Sequence, residues 1–136
     1  MALPSIGGGR QLGDGNINEV VLGTQSTPAT ATSNATLTVD QLLTGIVLGS
    51  PGSSAAAYTL PTGALMDATL VNAKVDSKFD FSVCNVNGSG SGVITMTAGT
   101  GWTIVGLATI AATAGTTGRF RARRTAAATW TLYRLA

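Results

Sequence analysis

A small all-β domain is predicted: a sandwich or barrel, jelly-roll-like, of about eight short strands with one short helix and an extended N-terminal arm. Three features predict it. Short stretches alternate in period two, most clearly Phe79, Phe81 and Val83 against Asp80, Ser82 and Cys84. Clusters such as Gly49-Ser50-Pro51-Gly52 punctuate the chain at close spacing. Only residues 62–73 carry a helical pattern.

Residues 1–36 read as the arm and 37–136 as the β-domain. The arm is rich in Gly, Ser, Thr and Asn around one apolar island, Ile17, Val20, Val21 and Leu22. It buries too little apolar area to offset the entropy of ordering it alone. It is therefore expected to order on a partner or neighbouring subunit, with Ile17, Val20 and Leu22 as anchors. Leu37, Val39 and Gln41 alternate with Thr38 and Asp40, which predicts a strand. Ile46 to Leu48 and Ala55 to Leu60 are the next strands. Leu65, Met66, Thr69, Leu70 and Ala73 share one helical face, with Thr62 as N-cap. Strands follow at Phe79 to Cys84, Val93 to Thr97, Trp102 to Val105 and Leu107 to Ile110. Residues 87–92 and Gly115 to Gly118 read as turns. The last strands are Arg119 to Arg123 and Trp130 to Leu135, joined by a loop at Thr125 to Ala128.

Composition narrows the function. Charged residues are 10% of the chain, against about 25% in a typical soluble protein. Aromatics are 5% of the chain and much of its apolar content is alanine, so the core looks lightly filled and subunit association is expected to add burial. Residues 119–136 hold five arginines and no acid, while the first 118 carry three basic and six acidic groups. Period-two spacing puts Arg119, Arg121 and Arg123 on one side of a strand, with Phe120 and Ala122 on the core side beside Trp130 or Tyr133. Three like charges in a row call for partners. With few acids nearby in sequence, this face is expected to meet an acidic surface of another subunit or a partner protein rather than nucleic acid.

Catalysis is not expected. Without histidine no Ser-His-Asp or Cys-His arrangement exists, and one cysteine without imidazole makes a poor zinc site. Cys84 reads as a small packed hydrophobe. Asp14, Asn16 and Asn18 match the start of a calcium loop, but Glu19 stands where its glycine belongs and Gln25 where its glutamate belongs. No metal and no cofactor are therefore expected. There is neither a secretory leader pattern at Met1 to Gly9 nor an apolar run long enough to span a membrane.

Several strings along the chain resemble small virion proteins of tailed bacteriophages, in particular capsid decoration or cement proteins. They include Leu12-Gly13-Asp14-Gly15-Asn16, Leu37 to Leu43 followed by Thr44-Gly45-Ile46, Tyr58-Thr59-Leu60-Pro61, Asn72 to Ser77 leading into Phe79 to Val83, and Gly101-Trp102-Thr103. Gly118 to Arg123 and Trp130 to Leu135 complete the likeness. The resemblance implies a β fold, a homotrimer, and binding to the major capsid protein on the outer surface of the head. A protein of that kind is made in the host cytoplasm, stiffens the shell, and touches neither nucleic acid nor membrane. The alternative is a tail-fibre or receptor-binding module, because related β modules occur there too.

Overall fold

The computed structural model of the chain describes residues 22–87 and 90–136. It is a β-rich fold with two mixed sheets. The strands are β1 (Ala29–Ala31), β2 (Ala35–Thr36), β3 (Ile46–Gly49), β4 (Ala56–Thr59), β5 (Lys78–Asn85), β6 (Ile94–Thr97), β7 (Trp102–Val105), β8 (Thr109–Ile110), β9 (Thr116–Ala126) and β10 (Thr129–Arg134). The helices are α1 (Val39–Leu43) and α2 (Gly63–Thr69). One sheet has the order β1-β3-β5-β9-β10-β7 and the other β2-β4-β6-β8.

From β1 to β8 the chain changes sheet at every strand. Spatial neighbours in this part are therefore two strands apart in sequence. β1, β3 and β5 run parallel, as do β2, β4 and β6. Parallel neighbours need a crossover between them. Here a strand of the other sheet supplies it, with α1 or α2 added at two of the turns. The pairs β5–β9, β9–β10 and β6–β8 are antiparallel, and β10 lies parallel to β7.

Both sheets feed one core. Val47, Phe81, Val83, Phe120, Trp130 and Leu132 come from the larger sheet, and Tyr58, Ile94, Met96 and Ile110 from the smaller. Leu42 and Met66 close it from the helices. The few aromatic residues are concentrated rather than scattered. Phe120 stacks on Phe81 at 5.7 Å, Phe81 meets Phe79 at 6.1 Å, Phe79 meets Trp130 at 6.2 Å, and Trp130 meets Trp102 at 5.9 Å. Such pairs add stability beyond their buried area. A low aromatic content is thus offset by placing these rings in one continuous row. The Tyr58 hydroxyl crosses between the sheets and donates to the Ala31 carbonyl at 2.9 Å.

Several elements differ from expectation. Residues 39–43 are a helix, not a strand. A capping box decides this: the Thr38 hydroxyl accepts from the Gln41 amide at 3.1 Å, and the Gln41 side chain accepts from the Thr38 amide at 2.8 Å. α2 begins after its expected cap, Thr62, but ends at Thr69, and only Gly63 and Met66 are buried within it. Residues 29–31 and 35–36, expected in the arm, pair into the larger and smaller sheets. The turn expected at Gly115 to Gly118 already belongs to β9 from Thr116, and the loop expected from Thr125 is strand to Ala126.

Candidate interaction surface

The outward face of β5, β9 and β10 carries the charged residues. Register sets Arg121 opposite Asp80, Arg119 opposite Ser82 and Arg123 opposite Lys78. Arg119, Arg121 and Arg123 do share one face, as their spacing predicts. Within this chain they already have acidic partners. Arg121 grips Asp80 with both ends of its fork, Nε to Oδ1 at 2.7 Å and a terminal nitrogen to Oδ2 at 2.9 Å. Arg119 reaches the same carboxylate at 3.5 Å. Arg123 donates to Asp76 at 3.0 and 2.5 Å and to the Tyr133 hydroxyl at 3.1 Å. Tyr133 therefore faces outward, and Trp130 alone joins Phe120 and Ala122 on the core side. The acids were distant in sequence, on the turn before β5 and on β5 itself. Pairing with β9 brings them alongside. Hydrogen bonds from Arg121 hold the Asp80 carboxyl below its usual range, against the opposing pull of partial burial.

Arg124 breaks the alternation. It follows Arg123 directly, so it must turn toward the inner side, where a cation needs a carboxylate. Asp67 of α2 supplies one. Arg124 donates to both of its oxygens at 2.9 and 2.7 Å, the Ala128 amide donates at 2.8 Å, and the Trp130 indole donates at 3.0 Å. These bonds, Arg124's first among them, hold the Asp67 carboxyl far below the ordinary carboxylate range. One side chain thus ties α2 to both strands of the β9–β10 hairpin. A second polar junction lies at the other end of β5. Buried Asn85 donates to the carbonyls of Gly92 and Ala111 at 3.0 and 2.8 Å, and accepts from the Asn87 amide at 3.1 Å. Asn87 in turn donates to the Gly52 carbonyl, which fastens the start of a segment expected to be a free turn. Neither junction was read from the sequence. The adjacent arginines were the available signal for Asp67, and Asn85 had none.

Apart from Leu22 and Val86, the exposed large apolar side chains among the described residues lie in two regions. Leu43, Leu65, Val71 and Val75 surround α1, α2 and the loop after them. A groove of about 320 Å³ runs through this region, floored by Leu70, Phe79 and Trp130 and rimmed by Leu43 and Val71. Val105, Leu107 and Leu135 form the second patch, held together by the pairing of Val105 with Tyr133 and by an Arg134 hydrogen bond to the Leu107 carbonyl at 3.3 Å. Trp130 lies at the first patch and Leu135 at the second. The patches are therefore separated by the length of β10, roughly 17 Å at about 3.4 Å per residue.

Of the expected anchors, Ile17 and Val20 lie outside the described residues, and Leu22 is 88% exposed. The calcium-like stretch from Asp14 also lies outside them. The Cys84 thiol accepts from the Thr117 hydroxyl at 3.3 Å on the outward side of the sheet. Among the described residues, no three His, Cys, Asp or Glu side chains group as metal ligands, and no helix is long and apolar enough to cross a membrane. Comparison with models of protein families, with curated proteins and with solved structures finds no match to this chain.

Proposed function

We propose that this protein is a non-catalytic decoration protein of a tailed-phage head, binding the outer surface of the shell as a homotrimer. The two sheets are read here as the facing layers of a sandwich, wound by a chain that alternates between them. Jelly-roll sheets are built from antiparallel neighbours, so the parallel runs favour the plainer description.

The supporting observation is the division of labour on the surface. Asp67, Asp76 and Asp80 each hold an arginine of the same chain, which leaves few charges among the described residues to direct binding or chemistry. Large apolar side chains stand exposed in two different patches at opposite ends of β10. A contact that joins unlike patches on successive copies is heterologous, and it closes into a ring when the rotation permits. A three-fold ring suits the local three-fold positions of a capsid. The likeness to decoration proteins in the strings around β5, β7, β9 and β10 points the same way.

Sedimentation of the purified protein tests the ring: a trimer at micromolar concentration is expected, and a monomer would remove this support. A particle reconstruction tests the location. Density for this chain across the head, with a copy number comparable to that of the capsid subunits, is expected. Density confined to a fibre tip would establish the tail reading instead.

A further inference from the structure

The ion pairs on the outward face of β5 and β9 do not balance its charge. Lys78, Arg119, Arg121 and Arg123 stand on this face, and among the described residues only Asp76 and Asp80 answer them. The unmatched cations can be named. Arg121 takes both oxygens of Asp80, and Arg123 takes Asp76. Arg119 is left with one long contact to Asp80 at 3.5 Å, and its side chain is 60% exposed. Lys78 is exposed and directly across from Arg123, and it makes no ion pair among the described residues. Like charges placed directly opposite on a sheet are destabilising. In a chain with only 10% charged residues, cations are thus gathered where folding alone gains least from them.

We propose that this face is a docking surface for an acidic patch of a partner protein, whose carboxylates pair with Arg119 and Lys78. The inference goes beyond the function proposed above and does not depend on it, since it uses neither apolar patch. Arginine suits a carboxylate because its planar fork takes both oxygens. Arg121 already uses its fork in this way, whereas that of Arg119 makes only the long contact. The surroundings fit a polar contact. Ser82 lies across from Arg119, Tyr133 from Arg121 and Thr131 from Arg123, so hydroxyls flank the cations. Hydroxyls of this kind can hold the bridging waters of a protein interface. Nucleic acid is a poorer match. Its affinity rests on neutralising several phosphates at once, and the internal pairs with Asp76 and Asp80 have removed most of that capacity.

A fluorescent peptide of alternating glutamate and serine serves as the probe, because its extended form lines the carboxylates along one side. Anisotropy titration with the full-length protein at low salt is expected to show binding that fades as salt is raised. Arg119→Gln and Lys78→Gln should each weaken it roughly threefold. Lys74→Gln removes the same charge from an exposed position in the loop before β5 and should leave binding unchanged. None of the three should lower the thermal midpoint, so lost binding will not reflect lost folding. A parent protein that fails to bind the peptide would overturn the proposal. An equal loss with Lys74→Gln would do so too, by showing that only net charge matters. Tighter binding of a single-stranded DNA of the same charge would overturn it in favour of nucleic acid.

Discussion

Arg121 and Arg124 lie three residues apart on β9, and each holds an aspartate with a two-pronged grip. The surroundings differ. Arg121 and Asp80 sit on the outward face, where water solvates the arginine and a second arginine shares the carboxylate. The two carboxylates are about equally shielded, Asp67 at 23% and Asp80 at 19%, but Arg124 is 17% exposed against 39% for Arg121, and Asp67 also satisfies a backbone amide and a buried indole. Removing Arg121 leaves Asp80 with Arg119 and solvent to turn to. Removing the centre of a shielded cluster leaves several donors with nowhere to turn. The comparison teaches that position relative to the core, not the number of arginines, decides what holds this hairpin.

The sharpest way to break that distinction is Asp67→Ala. It strands Arg124, the Trp130 indole and the Ala128 amide together, and is expected to cost about 3 kcal/mol of unfolding free energy. Urea denaturation at neutral pH measures it. A loss as small as that of the outward-facing variants would mean that the cluster contributes no more than the surface pairs.

Next comes Gly63→Val. Gly63 is buried at the start of α2, and a side chain there would run into the Ala128 carbonyl of the hairpin turn. α2 would be pushed away from β9 and β10, stretching the bonds to Asp67. Overpacking of this kind is expected to cost roughly 1–3 kcal/mol. Gly63→Val made in the Asp67→Ala background should cost less than in the parent, since the two changes disrupt the same contact. Equal costs would show the two sites to be independent.

A pH series sharpens the comparison further. The Asp67 carboxyl is depressed in the folded state, so its charged form favours folding. That contribution is complete above its ordinary value of 3.8 and declines as pH falls from there toward the depressed folded value. Asp67→Asn lacks it at every pH. The stability gap between parent and Asp67→Asn should therefore be widest at pH 5 to 7 and narrow progressively below about pH 4. Asp80 is also depressed, but it titrates in both proteins and cancels in the difference. A gap that stays constant to pH 2 would assign the effect to shape rather than charge.

The smallest effect belongs to Arg121→Ala, whose thermal midpoint should lie close to that of the parent. A shift rivalling that of Asp67→Ala would erase the contrast between the two faces. Salt dependence offers a parallel reading: screening should weaken the outward pairs and leave the Asp67 cluster nearly unchanged.

Much of the strand content was legible because one-sided burial writes itself into sequence as alternation. Phe81 and Val83 against Asp80 and Ser82, and Phe120 and Ala122 against the arginines, show it plainly. α1 was not legible from apolar spacing. Leu37, Val39 and Leu42 are all buried, but Leu37 belongs to the extended segment before the cap, where its amide continues the β2–β4 ladder by donating to Thr59. Leu37 and Val39, counted with Gln41, mimic a strand. Only the Thr38–Gln41 capping box separates the two readings. The ion partners were illegible for another reason. Asp80 and Arg121 meet because β5 pairs with β9, and strand order is not written in local periodicity. The winding of the chain between two sheets was hidden in the same way.

The position of β7 has a consequence during synthesis. β7 joins the larger sheet only through β10, which is translated about 25 residues later. While β8 and β9 emerge from the ribosome, the backbone groups that β7 will pair with do not yet exist. Trp102 must wait beside an incomplete sheet, its indole already able to donate to the Pro61 carbonyl at 2.6 Å but with Trp130 still missing from its other side. A nascent chain stalled before Thr129 should thus hold β1, β3, β5 and β9 together while β7 remains unpaired. The larger sheet cannot be completed by simple addition of strands in the order of translation. It closes when β10 arrives between two elements that are already present.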